Sequence, residues 1–254
     1  MSGQAMIDPG RLLDVLAAEG EVLADTAHDA SAEAPVPTAP GWTIGATLRH
    51  VGSVYRFVLA WLLAGSRPSE WQRDPEPGQA VEEYFEESRR ELLDHLGAHD
   101  PAEPASTWWP ADRTYGFWRR RMAHETIIHR FDVQNAAGVA ITEIPKDVAV
   151  DGIDEVLTVW FGQKLPLLGL TGTKAGQAGI RSGGHSWIAR AGPDETTAWR
   201  CSPEEADRSD ALVSGSAAQV YLWLWGRASP TAVTYGGDLD ISGQLWALLR
   251  LATR

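Results

Sequence analysis

The sequence has little cysteine, little positive charge and no long apolar run. Its one cysteine, Cys201, excludes an intrachain disulfide and a four-thiolate metal site, and such cysteine usage is typical of a reducing cytoplasm. The net charge of −12 at pH 7 lacks the positive field that nucleic acid or an anionic membrane surface requires. We therefore expect a cytoplasmic protein whose partner is a small molecule, and neither nucleic acid nor a membrane.

No segment is apolar over the thickness of a bilayer. The most apolar window, Val51 to Ala64, contains Tyr55 and Arg56 and is too short for a transmembrane helix. The first residues lack the apolar core of a secretory signal. With 254 residues, of which 44% are hydrophobic, the chain can bury a sizeable core in one or two domains.

Apolar residues recur at helical spacing in four segments of the first half. The predicted helices run over residues 11–30, 43–64, 80–98 and 115–137. Thr43 is placed to cap the second helix, whereas Gly65 and Gly138 are placed to end the second and the fourth. The pattern predicts a four-helix bundle over residues 1–142, a fold that builds metal and ligand sites from side chains of facing helices.

The second half has glycine-rich turns between short alternating runs, which is typical of strands. We expect strands at residues 186–191, 197–201, 211–214 and 231–235, and helices at residues 147–161, 217–224 and 242–252. These elements predict a smaller mixed α/β domain over residues 143–254. The expected fold class is therefore α+β.

The fourth predicted helix carries the pattern with the clearest chemistry. Glu125 and His129 are four residues apart and lie on one helical face, one turn apart. A carboxylate oxygen and an imidazole nitrogen suit zinc or another divalent metal if a third ligand comes from elsewhere. His50, on the apolar side of the second helix, is the best candidate for that ligand. The alternative is a core histidine with a hydrogen bond and a surface Glu–His pair.

His124 does not complete the His-Glu-x-x-His zinc motif, because Ile128 stands four residues after it. His124 and His129 point to different sides of the helix, so we expect His124 to pack, to face solvent or to support the site without binding the ion. Three tryptophans either line a pocket near this site or pack in the core: Trp108, Trp109 and Trp118.

Two motifs of the first half are Gly41-Trp42-Thr43-Ile44 leading to Leu48-Arg49-His50, and Arg120 to Glu125 leading to His129-Arg130-Phe131-Asp132. Those of the second half are Val213 to Ala217, Leu222 to Arg227 and Gly237 to Leu239. Together they span most of the chain, which resembles the mycothiol-dependent maleylpyruvate isomerase family of the DinB-like superfamily. The resemblance implies a DinB-like metal-binding bundle followed by a small C-terminal domain.

The resemblance also implies a His, Glu and His metal site, which carries over to His50, Glu125 and His129, with zinc as the first candidate. It implies mycothiol, a cysteine-containing sugar thiol, as the thiol cofactor or cosubstrate. A metal-bound thiol is deprotonated, so it becomes a nucleophile toward a small electrophilic substrate. Reversible addition to a double bond gives isomerisation, whereas a lasting bond gives S-transfer.

Two further residues have candidate catalytic roles. The family resemblance implies an arginine from the C-terminal domain near the metal, and Arg227 matches it, either binding a substrate carboxylate or acting as a capping or surface arginine. Asp132 lies about one turn beyond His129, so it either orients the imidazole or forms a salt bridge with Arg121 or Arg130.

Two other functions stay open from the sequence. A metal-bound water at the same position would make the protein a thiol-independent hydrolase or lyase-like enzyme. A site closed by a fourth protein ligand would instead favour a non-enzymatic metal or small-ligand binding module.

Overall fold

The computed structural model describes residues 4–71 and 73–253, which form two compact units. One unit spans residues 8–143, and the other consists of residues 4–7 together with residues 144–253. The expected α+β class is confirmed, because four helices precede a domain with a mixed sheet. The predicted domain boundary after residue 142 stays a prediction. Among the described residues, no helix is long and apolar enough to cross a membrane.

The first unit is a bundle of four helices, as predicted. They are α1 (Pro9–His28), α2 (Ile44–Ala64), α3 (Val81–Ala98) and α4 (Tyr115–Ala137). Helix α1 packs along α4, and α2 packs along α3. The apolar faces meet in a core that includes Leu12, Leu16, Leu23, Leu48, Val51, Phe85, Leu92, Leu96 and Ile127. Burial of these faces stabilises the helices and brings α2 against α4.

Local sequence signals set the ends of the helices that carry the candidate site. The side chain of Thr43 accepts a hydrogen bond from the N–H of Ala46, and α2 ends at Gly65 with φ of 64°. Helix α4 ends in the same way at Gly138, with φ of 68°. Glycine adopts this left-handed conformation without steric cost, so both predicted helix ends are confirmed.

Helix α4 is buried around most of its surface, including several charged residues. Arg130 donates from Nε to Oε2 of Glu19 at 2.6 Å, and from Nη1 to Oε1 of Gln134 and the carbonyl of Thr142. A buried charge without partners costs several kcal/mol, so this network is a condition for burying α4. The buried position of α4 in turn places Glu125 and His129 inside the bundle.

The second unit begins with α5 (Lys146–Glu155), which continues as a π-helix (Val156–Lys164) and the short α6 (Leu165–Leu167). Its five strands are β1 (Gly176–Ser182), β2 (His185–Ala191), β3 (Thr196–Arg200), β4 (Ala211–Gly215) and β5 (Thr234–Gly237). The sheet order is β3-β2-β1-β4-β5, in which β1 and β4 are parallel and the other pairs antiparallel. Helices α7 (Pro203–Ala206), α8 (Ala217–Leu224) and α9 (Leu239–Ala252) complete it.

Two sequence-based expectations for this unit need correction, and one strand of the sheet lies outside the predicted strands. The single helix predicted over residues 147–161 changes to a π-helix at Val156. The spacing of apolar residues does not indicate this change. The strand predicted at residues 231–235 starts only at Thr234, because Pro230 opens a 3-10 turn that is capped by Ser229. Strand β1 has no counterpart among the predicted strands, because its sequence Gly-Gln-Ala-Gly-Ile-Arg-Ser lacks alternating apolar residues. In the sheet it lies between β2 and β4.

Candidate metal centre

Three side chains from α2 and α4 converge at one point of the bundle. His50, Glu125 and His129 each offer one ligand atom, and these atoms lie within 4.8 Å of one another. Oε1 of Glu125 lies 3.2 Å from Nε2 of His50 and 3.4 Å from Nε2 of His129. The helical spacing aligns Glu125 with His129, and the packing of α2 against α4 adds His50.

The second oxygen of Glu125 has a different partner. Oε2 accepts a hydrogen bond from Nη2 of Arg121 at 2.7 Å, across one turn of α4. The Arg121 side chain is only 4% exposed, so its charge is held in place inside the protein. Arg121 is four residues before Glu125, and the same spacing rule that aligns Glu125 with His129 would have identified it from the sequence.

Asp132 lies beside the other ring nitrogen of His129. Oδ2 of Asp132 lies 3.2 Å from Nδ1 of His129, an ion-pair distance, although the ring N–H is not aligned for a regular hydrogen bond. The other oxygen, Oδ1, accepts a hydrogen bond from Oγ1 of Thr38 at 2.6 Å. The structure therefore brings Asp132 next to His129, and its predicted role in orienting the imidazole stays a prediction.

The close charges shift the pKa values of the two α4 residues in opposite directions. Burial alone would raise the pKa of Glu125, but hydrogen bonds with His129 and His50 hold it well below its ordinary value. Burial alone would lower the pKa of His129, but the carboxylates of Asp132 and Glu125 raise it to about 9. Glu125 is therefore ionised at neutral pH and supplies a negative charge at the point where the three side chains meet.

Two tryptophans contact the imidazole of His50. The ring of Trp42 lies edge-on at 4.9 Å between centroids, and that of Trp71 lies at 6.2 Å. Trp42 is also parallel to His129, with 6.0 Å between centroids and 2° between planes. Trp71 is 49% exposed, in the connection between α2 and α3. The candidate centre is thus bordered by indole rings on a side that reaches the surface.

The other candidates of the bundle lie apart from the three convergent residues. His124 is completely buried, so it does not face solvent, and it does not belong to the convergent group. That His124 does not bind the ion stays a prediction. Trp109 and Trp118 are buried and pack with Phe117, as does Trp108, so the core interpretation of these three tryptophans is the better one. The tryptophans at the site, Trp42 and Trp71, were not singled out for this role by sequence reasoning.

Arg227 belongs to the second unit, just after α8. Its Nη1 donates to the carbonyl of Trp225 at 2.9 Å. This contact with a backbone carbonyl two residues earlier orients the guanidinium. The role of Arg227 in binding a substrate carboxylate stays a prediction.

Two family models match the chain in succession. The model of the mycothiol maleylpyruvate isomerase (MDMPI) N-terminal domain matches residues 13–134. The model of the MDMPI C-terminal domain matches residues 147–250. The chain belongs to the mycothiol maleylpyruvate isomerase family. The first model contains His50, Glu125 and His129, so the candidate centre of this family member lies in the family's N-terminal domain. The second model contains Arg227.

Solved structures of the mycothiol maleylpyruvate isomerase family share this fold. One is the crystal structure of the mycothiol-dependent maleylpyruvate isomerase, and another is a mutant of it in which a histidine is replaced by alanine. Each is 16% identical to this chain, covers 91% of this chain and 95% of its own, and has a TM-score of 0.60. No curated protein sequence matches the chain at a significant level.

Proposed function

We propose that this family member is a zinc-dependent isomerase that uses mycothiol as its thiol cofactor. Its substrate would be a small electrophile of the maleylpyruvate type, with a cis double bond conjugated to a carbonyl group. The observation that carries the proposal is the convergence of His50, Glu125 and His129 within 4.8 Å, inside the domain that the isomerase family model matches. His50, Glu125 and His129 are the proposed metal ligands.

The residues present fit a catalytic zinc ion. Two imidazoles and one carboxylate form a donor set that zinc enzymes use, whereas structural zinc sites have four protein ligands. Within residues 4–71 and 73–253, neither His124 nor Asp132 joins the convergent group. Three protein ligands would leave room for an external one, which favours an enzyme over a structural metal module.

When bound, the zinc would lower the pKa of the mycothiol thiol, and the thiolate would add reversibly to the double bond so that the substrate can rotate from cis to trans. Glu125 contributes the negative charge that offsets part of the metal's charge. Arg121 holds the second oxygen of Glu125 and keeps the carboxylate from rotating away. Asp132 orients His129 through its Nδ1 side, which leaves Nε2 for the ion.

Two further groups would act on the organic ligands. The indoles of Trp42 and Trp71 border His50 and would shield the reacting atoms from water, which strengthens electrostatic interactions there. Arg227, with a planar guanidinium that matches a carboxylate, would hold an acidic group of the substrate.

The test combines elemental analysis with an assay of maleylpyruvate isomerisation. Protein purified without a metal-binding tag should hold about one zinc ion per chain after reloading, and should form the trans isomer only when mycothiol is added. His50→Ala should abolish both properties. Absence of stoichiometric metal would refute the proposal.

The same assay separates the alternatives. A product that retains the mycothiol sulfur, detected by mass spectrometry, would identify an S-transferase. Turnover that is indifferent to mycothiol would identify a hydrolase or lyase-like enzyme that uses metal-bound water.

A further inference from the structure

The connection between α1 and α2 is built as a rigid loop. The N–H of Val36 donates to the carbonyl of Trp42 at 2.9 Å, and the N–H of Ile44 donates to the carbonyl of Ala34 at 3.0 Å. Val36 is only 2% exposed and anchors the loop in the core. Three prolines restrict φ along this stretch: Pro35, Pro37 and Pro40. A flexible linker would need none of these features.

The loop makes a specific contact with the buried side of the candidate centre. Thr38, between two of the prolines, donates from Oγ1 to Oδ1 of Asp132 at 2.6 Å, although the two residues are 94 positions apart. Asp132 is 1% exposed, and its other oxygen lies 3.2 Å from Nδ1 of His129. The three residues thus form a chain from the loop to the proposed metal ligand.

We propose that Thr38 is a positioning residue for His129 and acts through Asp132. This inference rests on the proposed metal site. A carboxylate that faces an imidazole with only one oxygen can rotate about its Cβ–Cγ bond, and its contact with Nδ1 would then be lost. The hydroxyl of Thr38 fixes the second oxygen and thereby fixes the plane of the carboxylate. The imidazole then keeps its Nδ1 toward Asp132 and its Nε2 toward Glu125.

The same loop also restrains the plane of the imidazole. The ring of Trp42, near the α2 end of the loop, is parallel to the ring of His129 within 2°. Thr38 therefore sets the direction of the ring nitrogens, while Trp42 limits the tilt of the ring. Both restraints come from a segment that contributes no proposed metal ligand of its own.

The test measures the dissociation constant of zinc by competition with a chelating dye, on the full chain. Thr38→Val removes the hydroxyl and nearly keeps the shape of the side chain. It should weaken zinc binding about tenfold, which is the lower end of the loss seen when a residue that supports a metal ligand is removed. Thr38→Ser keeps the hydroxyl and should bind within about twofold of the wild type. The melting temperature of the zinc-free Thr38→Val protein checks that the fold is intact.

A second pair of variants tests whether Thr38 acts through Asp132. In an Asp132→Ala background, adding Thr38→Val should change zinc affinity by less than about twofold, because coupled residues are not additive. Equal zinc affinity in Thr38→Val and the wild type would overturn this inference and leave the proposed metal site intact. Failure of the wild type to bind zinc would overturn both.

Discussion

Nη2 of Arg121 donates to Oε2 of Glu125 over 2.7 Å, between two residues one turn apart on α4. This hydrogen bond leaves Oε1 to face the imidazoles of His50 and His129. A carboxylate held by its own helix cannot swing into solvent, so the three candidate ligands are arranged before any ion arrives. Preorganisation of this kind is what a metal site requires for precise coordination.

Loss of any proposed ligand should remove zinc from the protein. We expect His50→Ala, Glu125→Gln and His129→Ala to lose stoichiometric zinc, because two remaining ligands cannot hold the ion against a chelator. His124→Ala is the matched control on the same helix and should retain most of the metal. Elemental analysis after dialysis is the measurement. Equal loss in His124→Ala would contradict this choice of ligands.

Asp132→Asn should weaken zinc binding without abolishing it. The amide keeps the shape of the side chain but lacks the charge that favours the Nδ1–H form of His129, so we expect a loss of about 10-fold to 100-fold in affinity. Chelator competition measures the effect. An unchanged dissociation constant would favour the alternative in which Asp132 serves only as a salt-bridge partner.

Trp71→Ala should impair the use of the substrate and leave zinc content unchanged. The half-exposed indole borders His50 but offers no metal ligand, so its loss should raise the KM for maleylpyruvate about threefold to tenfold, as expected for an aromatic contact of about 1 kcal/mol. Leu63→Ala, which truncates another exposed apolar side chain, 69% exposed near the end of α2, is the control. Identical KM values in both variants would exclude Trp71 from the substrate site.

The ion pair of Glu19 and Arg130 should be a major source of stability in the bundle. Glu19→Ala leaves a completely buried guanidinium without its carboxylate, which should lower the free energy of unfolding by about 3–5 kcal/mol. Glu70→Ala breaks an exposed pair with Arg73 and should cost less than about 1 kcal/mol. Urea denaturation followed by circular dichroism compares the two. Similar losses in the free energy of unfolding for the two variants would show that the buried Arg130 pair stabilises the protein no more than an exposed pair.

Alkaline pH should destabilise the protein through Tyr55. Burial raises the pKa of Tyr55 above its ordinary value, and its hydroxyl is within 2.5 Å of Oγ1 of Thr126. The pKa of Tyr55 is higher in the folded than in the unfolded protein. The stabilisation that its protonated hydroxyl provides is therefore complete below about pH 10 and is lost as the pH rises further. The loss should reach about 1.4 kcal/mol per pH unit above pH 10. We expect the free energy of unfolding, measured by urea titration between about pH 9 and pH 11, to fall less steeply with pH in Tyr55→Phe than in the wild type. Equal slopes for the two proteins would refute the assignment to Tyr55.

The sequence alone determined the features that depend on neighbours along the chain. The four helices follow from apolar periodicity, their ends follow from Thr43, Gly65 and Gly138, and the alignment of Glu125 with His129 follows from the pitch of an α-helix. The position of His50 on the apolar side of the second helix made it the best candidate for a third ligand, and the family resemblance implied the same residue. All of these are signals between residues that are close in the sequence, or motifs of the sequence itself.

Only the tertiary structure decided which distant residues meet. The distance between His50 and Glu125 depends on how α2 packs against α4, and the contact between Thr38 and Asp132 joins residues 94 positions apart. The position of β1 between β2 and β4 compensates for its weak strand pattern, because a central strand is paired on both edges. Contacts of this kind arise when the chain packs its apolar faces, so no spacing rule along the sequence contains them.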